Sequence, residues 1–182
     1  MQTRSQATLE KIIVAARTLI AREGINALTM EAVAEAAGIS KGGVLHHFRA
    51  KEALLAELVS RELEADRRDS AREMDVDPGA PRRALLGVVR AGARHYAGES
   101  GFPPALLAAA IGHAPCVAAI SAAMKQALDE AAAEAERPDE ARALLFACWG
   151  LQLFRTLGFE PLADEEASRV FRAIEQMARR NE

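Results

Sequence analysis

Residues 29–48 read Thr29-Met-Glu-Ala-Val-Ala-Glu-Ala-Ala-Gly38-Ile-Ser40-Lys-Gly-Gly-Val-Leu-His-His-Phe48, and this stretch decides the fold. Thr29 is a side-chain acceptor placed to cap a short helix over Met30 to Ala36, and Glu31 in its first turn is favoured by the helix dipole. Gly38 stands where a left-handed residue ends that helix, and Ser40 caps the next one. Ala34 is small where two helices would cross closely, while Ile39 and Val44 supply the apolar contacts that lock the second helix against the first. The layout is that of a helix-turn-helix with its second helix held outward. An α-helix fits the major groove of B-DNA, so a helix presenting Ser40 to His47 would set several side chains against base edges and phosphates at once.

Within that second helix Gly42 and Gly43 each cost about 1 kcal/mol relative to alanine, so tolerating both points to close approach of the backbone to something bulky. DNA fits that role; a loosened surface turn is the other reading. His46 and His47 are adjacent and so lie roughly 100° apart around the helix, too divergent to share one metal. They suit hydrogen bonding to phosphate, and Lys51 just beyond the helix adds a point charge to the same surface.

Upstream, Leu9, Ile12, Ile13, Ala16, Leu19 and Ile20 recur at helical spacing and predict an amphipathic helix over 7–23, ended by Gly24. Downstream the same periodicity continues. Lys51 opens a fourth helix that begins apolar and turns polar by residue 64, and Leu85 to Tyr96 carry a fifth. Pro103 and Pro104 start a short sixth helix, Pro115 a seventh and Pro138 an eighth, and Ala167 to Ala178 form the apolar seam of a ninth. Alanine supplies 40 of the 182 residues against 22 for Val, Ile and Thr together, which favours helix over sheet throughout. The fold expected is all-α, with about nine helices.

The net charge of −3 excludes a polybasic nucleic-acid coat, but the charge is unevenly placed. Residues 1–51 hold seven Lys/Arg against four Asp/Glu (+3), and residues 52–182 hold sixteen against twenty-two (−6). A basic N-terminal quarter on an acidic body is what a nucleic-acid reader tethered to a second function shows. No signal-like apolar segment opens the chain, and the stretch from Leu144 to Phe154 is too short to span a bilayer, so a soluble, cytoplasmic protein without membrane partners is expected. Cys116 and Cys148 read as buried small hydrophobes.

Taken together, Ile12-Ile-Val-Ala-Ala-Arg-Thr-Leu-Ile-Ala-Arg-Glu-Gly24, Thr29-Met30, Ala37-Gly38-Ile39-Ser40-Lys41-Gly42 and His46-His47-Phe48-Arg-Ala-Lys51-Glu52-Ala53-Leu54-Leu55 closely resemble the DNA-binding domain of the TetR (tetracycline repressor-like) family. The resemblance covers roughly residues 8 to 56. It implies a homodimeric, all-helical transcriptional regulator, usually a repressor, whose C-terminal part binds a small molecule and dimerises. It assigns Thr29, Ser40, Lys41, Gly42 and Gly43 to the approach to phosphates and bases, His47 and Lys51 to backbone contacts, and Phe48 to packing of the recognition helix. Two positions depart from the pattern. Leu45 stands where the family commonly has an aromatic that touches DNA, so it either meets a thymine methyl or packs inward. Ala50 stands where a serine often caps the fourth helix, losing about 1 kcal/mol. On this reading residues 1–51 form the DNA-binding domain and residues 52–182 the ligand-sensing and dimerisation domain.

Residues 52–182 contain no nucleophile elbow, no phosphate-binding glycine loop and no HExxH, so no enzyme and no cofactor or metal is expected. The pocket expected there is mostly apolar with a few polar handles: Leu86, Val89, Tyr96, Leu107, His113 and Cys116, then Ile120, Met124, Phe146, Trp149 and Leu153. Plain core packing is the competing reading for each. The eighth helix is apolar nearly all round and the ninth carries one seam, which suggests that a second copy covers them. A two-fold dimer would then read a palindromic operator, released by a small-molecule effector of unnamed identity. A protein-binding helical adaptor or a small-molecule carrier without DNA binding is the alternative.

Overall fold

The structure is a computed structural model, which describes residues 2–99, 103–159 and 162–180. Among these residues there are nine α-helices, one 3-10 turn (Ile25–Ala27) and no strand. The helices are α1 (Gln2–Glu23), α2 (Met30–Ala37), α3 (Lys41–His47), α4 (Lys51–Asp75), α5 (Arg83–Tyr96), α6 (Pro104–Ile111), α7 (Ala114–Ala133), α8 (Pro138–Thr156) and α9 (Asp164–Arg179). The all-helical architecture follows the alanine-rich composition and the punctuation by Gly and Pro.

The chain divides into two compact units. The first is Met1–Arg61 with Pro103–Ala119, and the second is Glu62–Phe102 with Ile120–Glu182. Lys51 is the first residue of α4, and Leu54, Leu55, Leu58 and Val59 on its opening turns are fully buried, so the helix belongs to the first unit well beyond its N-terminus.

In the first unit α1 packs on α2, α2 on α3, and α6 lies against α1 and the 3-10 turn. Its core is Ile12, Ile13, Ala16, Ile20, Leu28, Val33, Val44 and Phe48, with the α4 leucines and Leu106. The helix starts and stops in this unit are local. The Thr29 hydroxyl accepts the Ala32 N–H (3.0 Å) and the Ser40 hydroxyl accepts the Gly43 N–H (3.1 Å). Gly38 adopts φ 66°, ψ 36°, the left-handed geometry that lets its N–H close α2 while the chain turns into α3.

In the second unit α5 is central and packs on both α8 and α9. One core cluster joins Leu85, Leu86, Val89, Leu144, Leu145, Ile174 and Ala178, and a second joins Tyr96, Cys148, Ala167 and Phe171. Here α5 runs so close to α4 that a Cβ on Gly87 would lie 2.6 Å from the Ser70 carbonyl oxygen, a contact that backbone cannot relieve. The start of α5 is capped from far along the chain, its Ala84 N–H donating to Glu134 Oε2 (2.8 Å). On α9 the Glu166 carboxylate accepts the Ala163 N–H (3.1 Å), half of a capping box, since alanine offers no side-chain acceptor in return.

Candidate nucleic-acid interface

Helix α3 has two distinct faces. Val44 and Phe48 are buried against the first unit's core, Gly43 and His47 are half-buried, and Lys41, Gly42, Leu45 and His46 form the exposed side. Leu45 is 37% exposed, so of the two alternatives read from the sequence the outward one is adopted.

The caps leave useful chemistry behind. Thr29 and Ser40 each spend an oxygen lone pair on a backbone N–H, which leaves the exposed hydroxyl hydrogen free to donate outward. Lys41 Nζ pairs with the Glu31 carboxylate across the turn, and the bonded ammonium holds the Glu31 carboxyl below the ordinary carboxylate value. Both groups are exposed, so this pair contributes little to stability and exchanges readily for another anion. Lys51 Nζ donates to the Ile25 carbonyl (2.9 Å), fastening the start of α4 to the 3-10 turn; a lysine ammonium carries two further donors. The structure thus brings Lys51 to the segment that leads into Thr29.

Neither recognition-helix glycine is demanded by the protein's own packing. A Cβ on Gly42 would meet only the Ser40 Oγ at 3.9 Å, and one on Gly43 would make ordinary contacts with Ser40 (3.4 Å) and Ile39 (3.7 Å). The His46 and His47 rings sit edge to face with centroids 5.5 Å apart. Among the described residues no group of three His, Cys, Asp or Glu side chains could hold a metal ion. The Glu31–Lys41 pair is not legible in the sequence, because it joins the first turns of two different helices.

The expected ligand-lining residues fall in both units. Leu107, His113 and Cys116 belong to the first, with Cys116 buried, Leu107 and His113 half-buried. In the second unit Leu86 is 1% exposed inside the larger core cluster, with Trp149 packed on its edge. Ile120 and Met124 are half-buried on α7. Phe146 is 56% exposed, its ring edge-on to Trp149 at 5.7 Å, and Leu153 is also exposed. Val89 and Tyr96 border a cavity of about 430 Å³ formed by the second unit. Both cysteines are free and buried, and burial pushes the Cys148 thiol up to about 12.

Residues 12–58 match the family described as bacterial regulatory proteins, tetR family, and residues 79–179, more than half of the chain, match a tetracyclin repressor-like C-terminal domain. The chain belongs to the TetR family. As a TetR-family member it carries the N-terminal DNA-binding domain of bacterial transcriptional regulators. The HTH-type transcriptional regulator UidR of Escherichia coli K12 is 36% identical over 64 residues, which is 35% of this chain and 33% of that protein. The matched stretch therefore spans a third of that relative's length.

Two solved structures share the fold of this TetR-family chain along its length. One is a transcriptional regulator of Streptomyces coelicolor A3(2), 22% identical with a TM-score of 0.71, covering 92% of this chain and 98% of that one. The other is the multidrug binding protein EbrR complexed with malachite green, also 22% identical with a TM-score of 0.71, covering 91% and 96%. No single helix among the described residues is long and apolar enough to cross a membrane.

Proposed function

We propose that this TetR-family regulator is a repressor that binds a palindromic operator as a homodimer in the cytoplasm and is released by a small molecule. Residues 1–51 read DNA, and residues 52–182 sense the effector and dimerise. The observation that carries the reading is the exposed side of α3, where Lys41, Gly42, Leu45 and His46 are free of the core and flanked by the Thr29 and Ser40 hydroxyls. On it, Thr29, Ser40, Lys41, His47 and Lys51 hold phosphates, the Gly42-Gly43 backbone lies close to the duplex, and Leu45 meets a thymine methyl.

The exposed apolar side chains of α8 and α9 support the dimer. Phe146, Leu153, Phe154 and Leu157 on and just after α8, and Met177 on α9, leave more apolar surface in water than a monomer needs. A second copy that covers them on a two-fold axis sets two recognition helices roughly 34 to 36 Å apart, one turn of DNA. An effector then releases DNA to the extent that it prefers a different spacing. The small-molecule complex of EbrR, a multidrug binding protein of the same fold, supports an effector of this kind.

Selection of bound duplexes from a random pool by the purified full-length protein tests the reading. The expected result is an enriched inverted repeat with half-sites one helical turn apart, bound by two copies. Enrichment of no sequence, or of a single half-site bound by one copy, overturns it.

A further inference from the structure

The cavity of about 430 Å³ in the second unit lies among the end of α4, the outer turns of α5, the end of α8 and the start of α9. Its volume falls in the range of small-molecule sites. Its apolar part is Val89, Ala93, Tyr96 and Phe171, with the two rings 5.5 Å apart. Around this lie four guanidinium groups, Arg90, Arg94, Arg155 and Arg172, answered by three carboxylates, Glu73, Asp164 and Glu175.

All three carboxylates are committed. Arg94 Nη1 donates to Glu73 Oε1 (2.8 Å), Arg90 Nε to Glu175 Oε1 (2.9 Å) and Arg155 Nη1 to Asp164 Oδ1 (2.7 Å). Just outside the wall, Glu99 accepts from Arg94 (2.8 Å), and Arg179 is shared between Glu175 (3.2 Å) and Asp77 (3.2 Å). Arg172 is the remaining guanidinium, and no described residue partners it. Within the lining, Arg172 is therefore the guanidinium that no described carboxylate engages, and it stands beside the apolar surface. The wall is also held in position. Arg90 is 13% exposed and bonded a second time to the Glu73 carbonyl (3.3 Å), and the Arg155 guanidinium lies over the Tyr96 ring at 4.6 Å. Each guanidinium has five N–H donors, so donors remain for a ligand after the pairs are formed.

We propose that this cavity is the effector site of the regulator, and that it takes a small organic anion with one carboxylate on a compact apolar body. The carboxylate balances Arg172 and shares the spare guanidinium donors, while the apolar body covers Tyr96, Phe171, Val89 and Ala93. A cation would face four guanidinium groups. The proposal rests on the effector-responsive reading above and adds to it the place and the chemistry of the ligand.

Calorimetric titration of the full-length protein with benzoate and cinnamate, their neutral amides and inorganic phosphate tests it. The carboxylates are expected to bind saturably, with the amides and phosphate about tenfold weaker or more, the loss given by one charge-assisted hydrogen bond. Arg172→Ala, an exposed position that leaves the core intact, weakens the carboxylates about tenfold and leaves the amides unchanged, and Arg172→Lys restores part of the loss. Equal binding of amides, phosphate as tight as the carboxylates, no binding by any probe, or indifference to Arg172→Ala each overturns the proposal. Operator affinity measured on the selected duplex separates this from the function above. If the carboxylates bind without moving operator affinity, the effector role falls; if another compound releases operator equally well from Arg172→Ala, the regulator stands and this cavity is not its switch.

Discussion

The α2–α3 turn of the first unit and the start of α5 in the second are fixed in different ways. In the first, the caps reach three residues: Thr29 to Ala32 and Ser40 to Gly43, with Gly38 turning the chain between them. In the second, the start of α5 is capped by Glu134, fifty residues further on, and its glycine is set by the carbonyl of Ser70 on another helix. Local chemistry shapes the turn that presents α3, whereas partners far along the chain fix α5.

The largest expected effect separates core from cavity within the body. Leu86→Ala removes a side chain that is 1% exposed in the main cluster and is expected to cost about 2–5 kcal/mol in urea unfolding while carboxylate affinity stays the same. A small stability loss together with lost ligand binding would make Leu86 a pocket residue. Next comes the same substitution made in both regions. Gly87→Ala drives a methyl into the Ser70 carbonyl and is expected to cost about 1–3 kcal/mol. Gly42→Ala meets only the Ser40 Oγ at 3.9 Å, an ordinary contact, so thermal unfolding should show a gain of roughly 0.5–1 kcal/mol from helix propensity, alongside weaker duplex binding. Equal signs for the two would break the comparison.

Caps come third. Thr29→Ala and Ser40→Ala should each lower stability by about 1 kcal/mol, read as a shift in denaturant midpoint. The smallest effect is electrostatic. Glu31 titrates below its ordinary value because Lys41 is bonded to it, so the contribution of this pair is present above the ordinary carboxylate value and is lost as pH falls through the lowered one. Wild type and Glu31→Gln should therefore differ slightly at neutral pH and converge in acid; a gap that persists in acid would give the Glu31 side chain another role.

The same contrast explains what the sequence reveals. Thr29, Gly38 and Ser40 are legible because their partners lie within a few residues, and the outward side of α3 follows from placing Val44 and Phe48 inside. The nine helices are legible from apolar periodicity and from Gly and Pro at their ends. The pairing of Lys51 with the Ile25 carbonyl is not, since it joins positions twenty-six apart. The cavity is the sharper case. Val89 and Tyr96 are on the expected apolar lining, but nothing in the sequence singles out Arg90 and Arg94, one helical turn apart on α5, because charged residues that share the wall with them, Asp164, Arg172 and Glu175, come from α9. On α8, apolarity all round gives no hint of which side Phe146 and Leu153 leave in water.

Binding of the selected duplex to wild type and Lys41→Ala, followed from 50 to 200 mM salt, tests the central claim most directly. Wild-type affinity is expected to fall by about a hundredfold or more over that range, and Lys41→Ala to reduce the log–log salt slope by about 1 for each copy bound while unfolding at the same denaturant concentration. A slope unchanged by Lys41→Ala, or no duplex bound even at the lowest salt, would contradict the assignment of the exposed side of α3 to DNA.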